Sequence, residues 1–367
     1  MAIFRHWVKL TITPFGTPAK RRDLNTVLLF DHTKDIPFSA IISPSNLLDL
    51  AVTPAITVTD KIYKDTEEYF SQTPRPNLLY VYGRNLATAT MSVKEALIEL
   101  EDDPSNKNVG GWYKLITTFE DQVNITSASE YLESALPVKT GFFQLNEALT
   151  TPTQALTISE AINNRRVALF YTDVATDQID KKSAGYFQSY RIGRIAFNAG
   201  RLFGVSSTGL TTTDELAFIN SEFPINTIHT ERLGVKGLAP GKMTNGEYIE
   251  FIHFEDWLDD AIHLAWSSAM VRETRIPLDS KGQNLVYTLI EQVLQEASNL
   301  GILRSQNGDP LGEETNSEGI PVKIGQIDVI VPDSGTNDRE NGIFRVNGFV
   351  TLLNSARQIL LDLTLKV

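Results

Sequence analysis

The sequence contains no cysteine. It therefore has neither a disulfide framework nor a thiolate to serve as nucleophile or metal ligand, and it is indifferent to the redox state of its compartment. Histidine is scarce, with His6, His32, His229, His253 and His263 the full set. His253 and Glu255 would share one face of a strand, yet no third ligand falls in register with them, so no metal site is expected. Basic residues are also in deficit, 33 against 45 acidic ones for a formal net charge of -12. A surface of that sign does not hold nucleic acid by counterion release, and no direct nucleic-acid partner is expected. No uninterrupted apolar run approaches the roughly twenty residues that span a bilayer. The stretch from Met1 to Pro14 carries charge where a signal peptide needs its apolar region. The expectation is a soluble protein made in a cytosol, with no membrane insertion.

Catalytic motifs are missing too. The Gly241-Lys242 pair has Lys236 where a phosphate-binding loop needs its first glycine, and Met243 where it needs a hydroxyl. Ser206 has Thr208 where a nucleophile elbow needs its second glycine. The pairs Trp112-Tyr113 and Tyr69-Phe70 sit inside apolar elements beside turns, as core aromatics do. No enzyme activity and no cofactor are expected.

What the chain does have is an alternation of apolar strands and amphipathic helices over 367 residues, a length that favours two or three domains. Strands are expected at Val27 to Phe30, Leu78 to Tyr82, Trp112 to Thr118, Gly141 to Leu145 and Val167 to Tyr171. Helices are expected at Asp60 to Phe70, Val93 to Leu100, Ser127 to Leu136, Ile158 to Asn163, Ser189 to Phe203 and Thr213 to Asn220. This succession argues for an α/β fold with mixed sheets flanked by helices. The expected helix at Ser189 to Phe203 puts Arg191, Arg194 and Arg201 on one face, a pattern typical of a solvated stripe. Polar loops are expected at Ser305 to Gly319 and Pro332 to Gly342, with strands at Gly325 to Val331 and Phe344 to Leu353.

The stretch from Tyr248 to Leu303 organises the rest. Tyr248, Ile249, Phe251, Ile252 and Phe254 form a nearly continuous apolar run, as in a strand buried on both faces. A helix is expected from Trp257, ended by Pro277, and a second one capped by Asp279 and Ser280. In the second, Leu285, Val286, Leu289, Ile290, Val293, Leu294, Ala297 and Leu300 make one stripe, and Gly301 supplies the stop. Glu247, Glu250, Glu255, Asp256, Asp259 and Asp260 are the densest group of one sign. They fit a helix N-terminus complementing its dipole, or a surface that meets a basic partner.

Both ends of the chain read as strands. Val8, Leu10 and Ile12 alternate with polar residues near the start, and Ile359, Leu361, Leu363, Leu365 and Val367 do so near the end. Alternating strands at the extremes need sheet partners, either within the chain or in a neighbouring subunit. Pairing between chains would give affinity through main-chain bonds and specificity through alternate side chains.

The run FIHFEDWLDDAI, the segment IPLDSKG and the helix ending NLGIL resemble the C-terminal core of the contractile phage tail sheath family. The segment EEYFSQTPRPNLLYVYGR, Glu67 to Arg84, is similar to an early helix, turn and strand of that family, and Gly111-Trp112-Tyr113 is a weaker likeness. Pro277 and Leu278 depart from the aromatic and threonine more usual there. The resemblance implies a multidomain structural subunit that polymerises as stacked six-fold rings around a tail tube and contracts to drive the tube through the host envelope. Implied partners are copies of itself, the tube protein, and baseplate and tail terminator proteins, in a virion tail assembled in the bacterial host cytoplasm. Terminal arms would be exchanged through Val8, Leu10 and Ile12, and through Ile359, Leu361, Leu363 and Leu365. Glu255, Asp256, Asp259 and Asp260 would be candidates for tube or neighbour contact.

The expected division is an arm at 1–22, sheath domain parts at 23–88, 89–245 and 246–353, and a second arm at 354–367. Two rivals stay open. One is a baseplate subunit or the sheath of a bacterial contractile injection system, and the other is an enzyme using the carboxyl ends of the middle sheet.

Overall fold

The computed structural model describes residues 4–12, 23–103, 111–146, 150–174, 177–190, 202–206, 209–230, 236–272, 276–277, 279–300, 312–315, 321–324, 328–331, 343–351 and 357–366. The chain divides into two compact units. One comprises Asp23–Arg191 and Ile195–His253, and the other Met1–Arg22, Ile192–Arg194 and Phe254–Val367. The chain's first strand, β1 (Phe4–Ile12), belongs to the second unit.

The larger unit is a sheet with helices on both faces. Its elements begin with β2 (Val27–Asp31), β3 (Ile36–Ile41), α1 (Lys61–Phe70), β4 (Leu79–Gly83), α2 (Leu86–Ala89) and α3 (Val93–Asp102). They continue with β5 (Lys114–Thr117), α4 (Gln122–Ser134), β6 (Thr140–Asn146), α5 (Pro152–Ile162), β7 (Val167–Thr172) and α6 (Ile179–Gln188). Then come α7 (Thr212–Asn220) and a hairpin of β8 (Thr227–Thr230) and β9 (Lys236–Ala239). The main sheet has the order β3-β4-β2-β5-β6-β7, parallel except for β3 at the edge. Its parallel strands follow the doubly wound order 2-1-3-4-5, which places a topological switch point between β2 and β5.

Alternation of side chains along the central strands builds one core on each face. Val27 and Leu29 of β2 and Ala168 and Phe170 of β7 face the side covered by Ile62, Tyr69 and Phe70 of α1 and Ile179, Ala184 and Phe187 of α6. Leu28 and Phe30, with Val167, Leu169 and Tyr171, face α3, α4 and α5 through Leu97, Ile125, Leu132 and Ile158. Helix starts are set locally. Ser92 and Glu95 form a reciprocal capping box on α3, and Thr151 and Gln154 another on α5, where Pro152 occupies the first turn.

The long helix α8 (Ile249–Arg272) starts where the sequence suggested a strand. Tyr248 to Phe254 was expected to be extended, and the structure corrects this. Ile249, Phe251, Ile252, His253, Phe254, Trp257 and Leu258 are all buried. A helix covered on every side in its first turns shows no polar stripe, so its pattern cannot be told from that of a buried strand. The division between the units falls within α8, between His253 and Phe254.

In the second unit α9 (Ser280–Asn299) opens on Asp279, whose carboxylate accepts from the backbone N–H groups of Lys281 at 2.9 Å and Gly282 at 3.3 Å. Val286, Leu289, Ile290, Val293, Leu294 and Ala297 are buried, as the stripe required, while Leu285 and Leu300 are half-buried. Strands β10 (Gly312–Thr315) and β11 (Pro321–Ile324) form an antiparallel pair, so a strand stands inside the segment expected to be a loop. The remaining strands are β12 (Asp328–Ile330), β13 (Ile343–Thr351) and β14 (Arg357–Lys366). Most of the expected arginine helix, including Arg191, Arg194 and Arg201, lies outside the described residues, as do Gly301 and 332–342.

Candidate functional site

The two ends of the chain meet in one sheet, of order β1-β14-β13-β12. Strand β1 runs parallel to β14 without a register break, pairing His6 with Ile359, Val8 with Leu361, Leu10 with Leu363 and Ile12 with Leu365. On its other side β14 is antiparallel to β13, where Leu363 pairs with Val346 and Leu365 with Phe344. Phe344 and Val346 are fully buried. All seven residues singled out for strand pairing thus lie on one ladder. The structure draws this ladder within a single chain, with β1 at the open edge.

The acidic group is redistributed by the longer α8. Asp256, Asp259 and Asp260 were placed in the first turn of a helix, and they lie two to three turns inside one, with Glu250 alone in the first turn. Asp256 is only 2% exposed, whereas Glu255, Asp259 and Asp260 are half-buried. The helix dipole therefore does not account for them, since its influence fades within the first turn.

His253 is not at a strand end. It lies in the first turn or so of α8, buried, with its ring stacked on Tyr113 at a centroid distance of 5.1 Å. Two residues on a helix are about 200° apart, so Glu255 does not share its face. Its neighbours are Lys114 of β5, with Nζ 3.3 Å from His253 Nε2, and the Leu24 carbonyl, 2.9 Å from the same nitrogen. Lys114 Nζ itself donates to the Leu24 carbonyl at 3.1 Å. Burial, reinforced by the Lys114 charge, holds the histidine well below its ordinary value, so the imidazole is neutral. Burial also pushes Lys114 down to about 7, with Asp23 opposing the shift.

The sign of the resulting pH dependence follows from the Lys114 shift. Between about pH 7 and 10.5 the unfolded chain keeps a proton on Lys114 that the folded chain has released, so stability rises with pH across that window. Lys114→Met is expected to abolish this rise, which amounts to at most about 5 kcal/mol for a shift of that size. Urea titrations of both proteins at pH 6.5 and pH 9.5 check it, and parallel curves for the two would refute the lysine's role.

A second buried charge group lies at the carboxyl edge of the main sheet, next to the switch point. Glu120, just beyond β5, sits 2.7 Å from Lys61 of α1, which approaches Asp65 one turn on at 3.5 Å. Gln178 Nε2 donates to Glu120 at 3.3 Å. On α6, Lys181 Nζ is 2.9 Å from Asp180. Sequence reading missed this group, because a run reading Asp180-Lys181-Lys182-Ser183 looks like a solvated face. Its one signal was location, at the strand ends where a ligand site was sought. The described residues contain no group of three acidic or histidine side chains able to hold a metal.

No curated protein sequence matches the chain. Residues 249–344 match the family described as "E217 tail sheath protein gp31-like, C-terminal domain". The fold is similar to a chain of the anti-feeding prophage baseplate, six-fold symmetrised (TM-score 0.62, 17% identity, 93% of this chain and 94% of that one). It is also similar to the anti-feeding prophage helical sheath in its contracted state (TM-score 0.60, 15% identity, 94% and 92%). A third likeness is to the sheath complex of the extracellular contractile injection system PVC, also contracted (TM-score 0.61, 14% identity, 96% and 92%). The resemblance read from FIHFEDWLDDAI and the helix after it thus coincides with a tail sheath C-terminal domain, set in a mixed α/β fold that contractile sheath and baseplate subunits share.

Proposed function

We propose that the chain is the sheath subunit of a contractile tail, polymerising as stacked rings around a tail tube and shortening to drive that tube through an envelope. The observation that carries this is the terminal sheet. Ten residues, 13–22, lie in sequence between its outer strand β1 and the larger unit, a length of chain that can span up to about 35 Å when extended. A neighbour's β1 can therefore close the same nine-residue ladder on β14. Exchange of identical elements costs little, because every main-chain bond is kept. A head-to-tail linkage of this kind that does not close on itself builds a helical tube, and rigid bodies tethered by exchanged strands can move without parting. The match at residues 249–344 and the fold-level likeness to contracted sheaths support this role.

Six subunits to a ring is the arrangement favoured by the six-fold baseplate neighbour. The partners are then the tube, baseplate and terminator proteins, and the product is a virion tail assembled in the bacterial cytoplasm. Glu255, Asp259 and Asp260 keep exposed surface for a basic tube, while Asp256 is enclosed by its own chain. Exposed charge pairs are weak and salt-screened, which suits a surface that must hold the tube and then release it. No catalytic role is proposed. The likeness to injection-system sheaths and to a baseplate favours one second reading, the same architecture in an injection device, which neighbouring genes would distinguish.

Negative-stain electron microscopy of the purified protein over a concentration series tests the proposal. Hollow tubes or stacked rings are expected. Dispersed particles at every concentration, also in the presence of a tail tube, would overturn it.

A further inference from the structure

The group between α1 and α6 has a charge imbalance that its own geometry exposes. Among the described residues three carboxyl groups, Asp65, Glu120 and Asp180, face two ammonium groups, that of Lys181, which is fully buried, and that of Lys61, which is 43% exposed. Asp65, Asp180 and Lys181 are at most 1% exposed, and Glu120 is 9% exposed. Glu120 has Lys61 at 2.7 Å, and Asp180 has Lys181 at 2.9 Å together with the Lys181 backbone N–H at 2.8 Å. Among the described residues the one ammonium group within 4 Å of Asp65 is that of Lys61, at 3.5 Å, and it lies closer to Glu120. Its Oδ2 atom is buried and receives no hydrogen bond.

Unused acceptors stand in the same group. Asp180 Oδ2 and Gln178 Oε1 are buried without a hydrogen-bond donor, and the Lys181–Asp180 contact is an ion pair lacking hydrogen-bond alignment. The adjoining Lys182 does not repair the balance. Its ammonium group donates to the Gly204 carbonyl at 2.7 Å and lies near Glu68 at 3.2 Å and Asp177 at 3.5 Å.

We propose that Asp65 is a proton-binding site: in mildly acidic solution the folded protein holds one proton on this carboxyl group, which brings the group of three carboxyls and two ammonium groups to neutrality and seals α1 against α6. An uncompensated charge in so dry a place is costly, and taking up a proton removes it. One turn further on the two helices approach closely, since a β-carbon at Gly185 of α6 would strike the Tyr69 carbonyl of α1. Burial raises Asp65 to about 6 against the opposing pull of Lys181 and Lys61, with Asp180 and Glu120 adding to the rise. At Lys181 burial is outweighed by the neighbouring carboxylates, Asp180 foremost, which raise it and keep it charged. The folded value exceeds the unfolded 3.8, so folding takes up a proton between about pH 4 and pH 6, and stability declines as pH rises through 6.

The test is an infrared pH titration of the full chain, which reads the protonated-carboxyl stretch directly. This is independent of the assembly proposal, because it is read on folded protein whether or not tubes form. The wild type is expected to show a protonated-carboxyl band that titrates away with a midpoint near 6. Asp65→Asn should lack that band and lose the stability decline. Glu120→Gln removes the surplus negative charge, and is expected to lower the midpoint by about one unit, a tenfold weaker proton affinity. A carboxyl midpoint in the ordinary range of about 4, or a band that persists in Asp65→Asn, would overturn the proposal.

Discussion

A chain lacking residues 1–22 is expected to fold and to remain dispersed where the full chain forms tubes. Strand β1 is an edge strand, and its removal takes no residue from either core of the larger unit, which begins at Val27 and Leu28. It leaves the antiparallel β14, β13 and β12 ladder in place. What is lost is the parallel ladder of nine residue pairs to β14. If that ladder links neighbours, its loss removes several main-chain hydrogen bonds from each contact. At a net worth of about 1 kcal/mol for even three of them, the critical concentration rises by at least about 100-fold. Sedimentation and electron microscopy give the polymer, and circular dichroism the fold. Removing Ile359 to Val367 should also prevent tubes, but it takes β14 from between two partners and so disturbs the subunit as well. Tubes of normal length from the first truncation would end the arm proposal, since they would show that β1 serves only its own sheet.

Much of the larger unit was legible because buried parallel strands declare themselves. Val27 to Phe30 and Val167 to Tyr171 are short apolar runs bounded by polar residues, and both are strands of the central sheet. The segment Glu67 to Arg84 delivers a helix end, a turn and a strand, as the resemblance implied. Three failures have different causes. The first turns of α8 were taken as a strand because a helix wrapped on all sides carries no periodicity to read. Helix α6 went unseen because Asp180, Lys181 and Lys182 balance one another or their neighbours indoors, and composition cannot distinguish such a group from a solvated face. The hairpin of β8 and β9 lies in a stretch rich in glycine and threonine, where only pairing with a distant partner decides between strand and loop. The terminal strands were legible as strands, but period-two alternation says nothing about whose strand they pair with.

Asn226→Ala is expected to cost the larger unit about 3–5 kcal/mol. Asn226 is fully buried, and its amide makes four hydrogen bonds, all to backbone. Its Nδ2 donates to the carbonyls of Leu169 at 3.0 Å and Lys242 at 2.8 Å, and its Oδ1 accepts from the N–H groups of Gly241 at 2.8 Å and Lys242 at 2.9 Å. The side chain thus stands in for a strand between β7 and the turn that leads into α8, and Ile249 N–H in turn donates to the Gly241 carbonyl at 3.1 Å. Alanine would remove these bonds from the Gly241 and Lys242 N–H groups and from the Lys242 carbonyl, at about 1–3 kcal/mol for each group left dry and unsatisfied. The Leu169 carbonyl keeps the Asn226 backbone N–H at 2.9 Å and contributes little to the loss. Asn226→Asp separates hydrogen bonding from shape. It is nearly isosteric, yet it turns two donated bonds into oxygen facing oxygen and buries a charge, so it should be at least as damaging at pH 7 and milder in acid, where the carboxyl group is protonated. Urea midpoints at constant slope would measure both. A loss below about 1 kcal/mol in the alanine variant would mean that the turn at Gly241 and Lys242 is held by something other than this amide, and that the start of α8 is fixed from elsewhere.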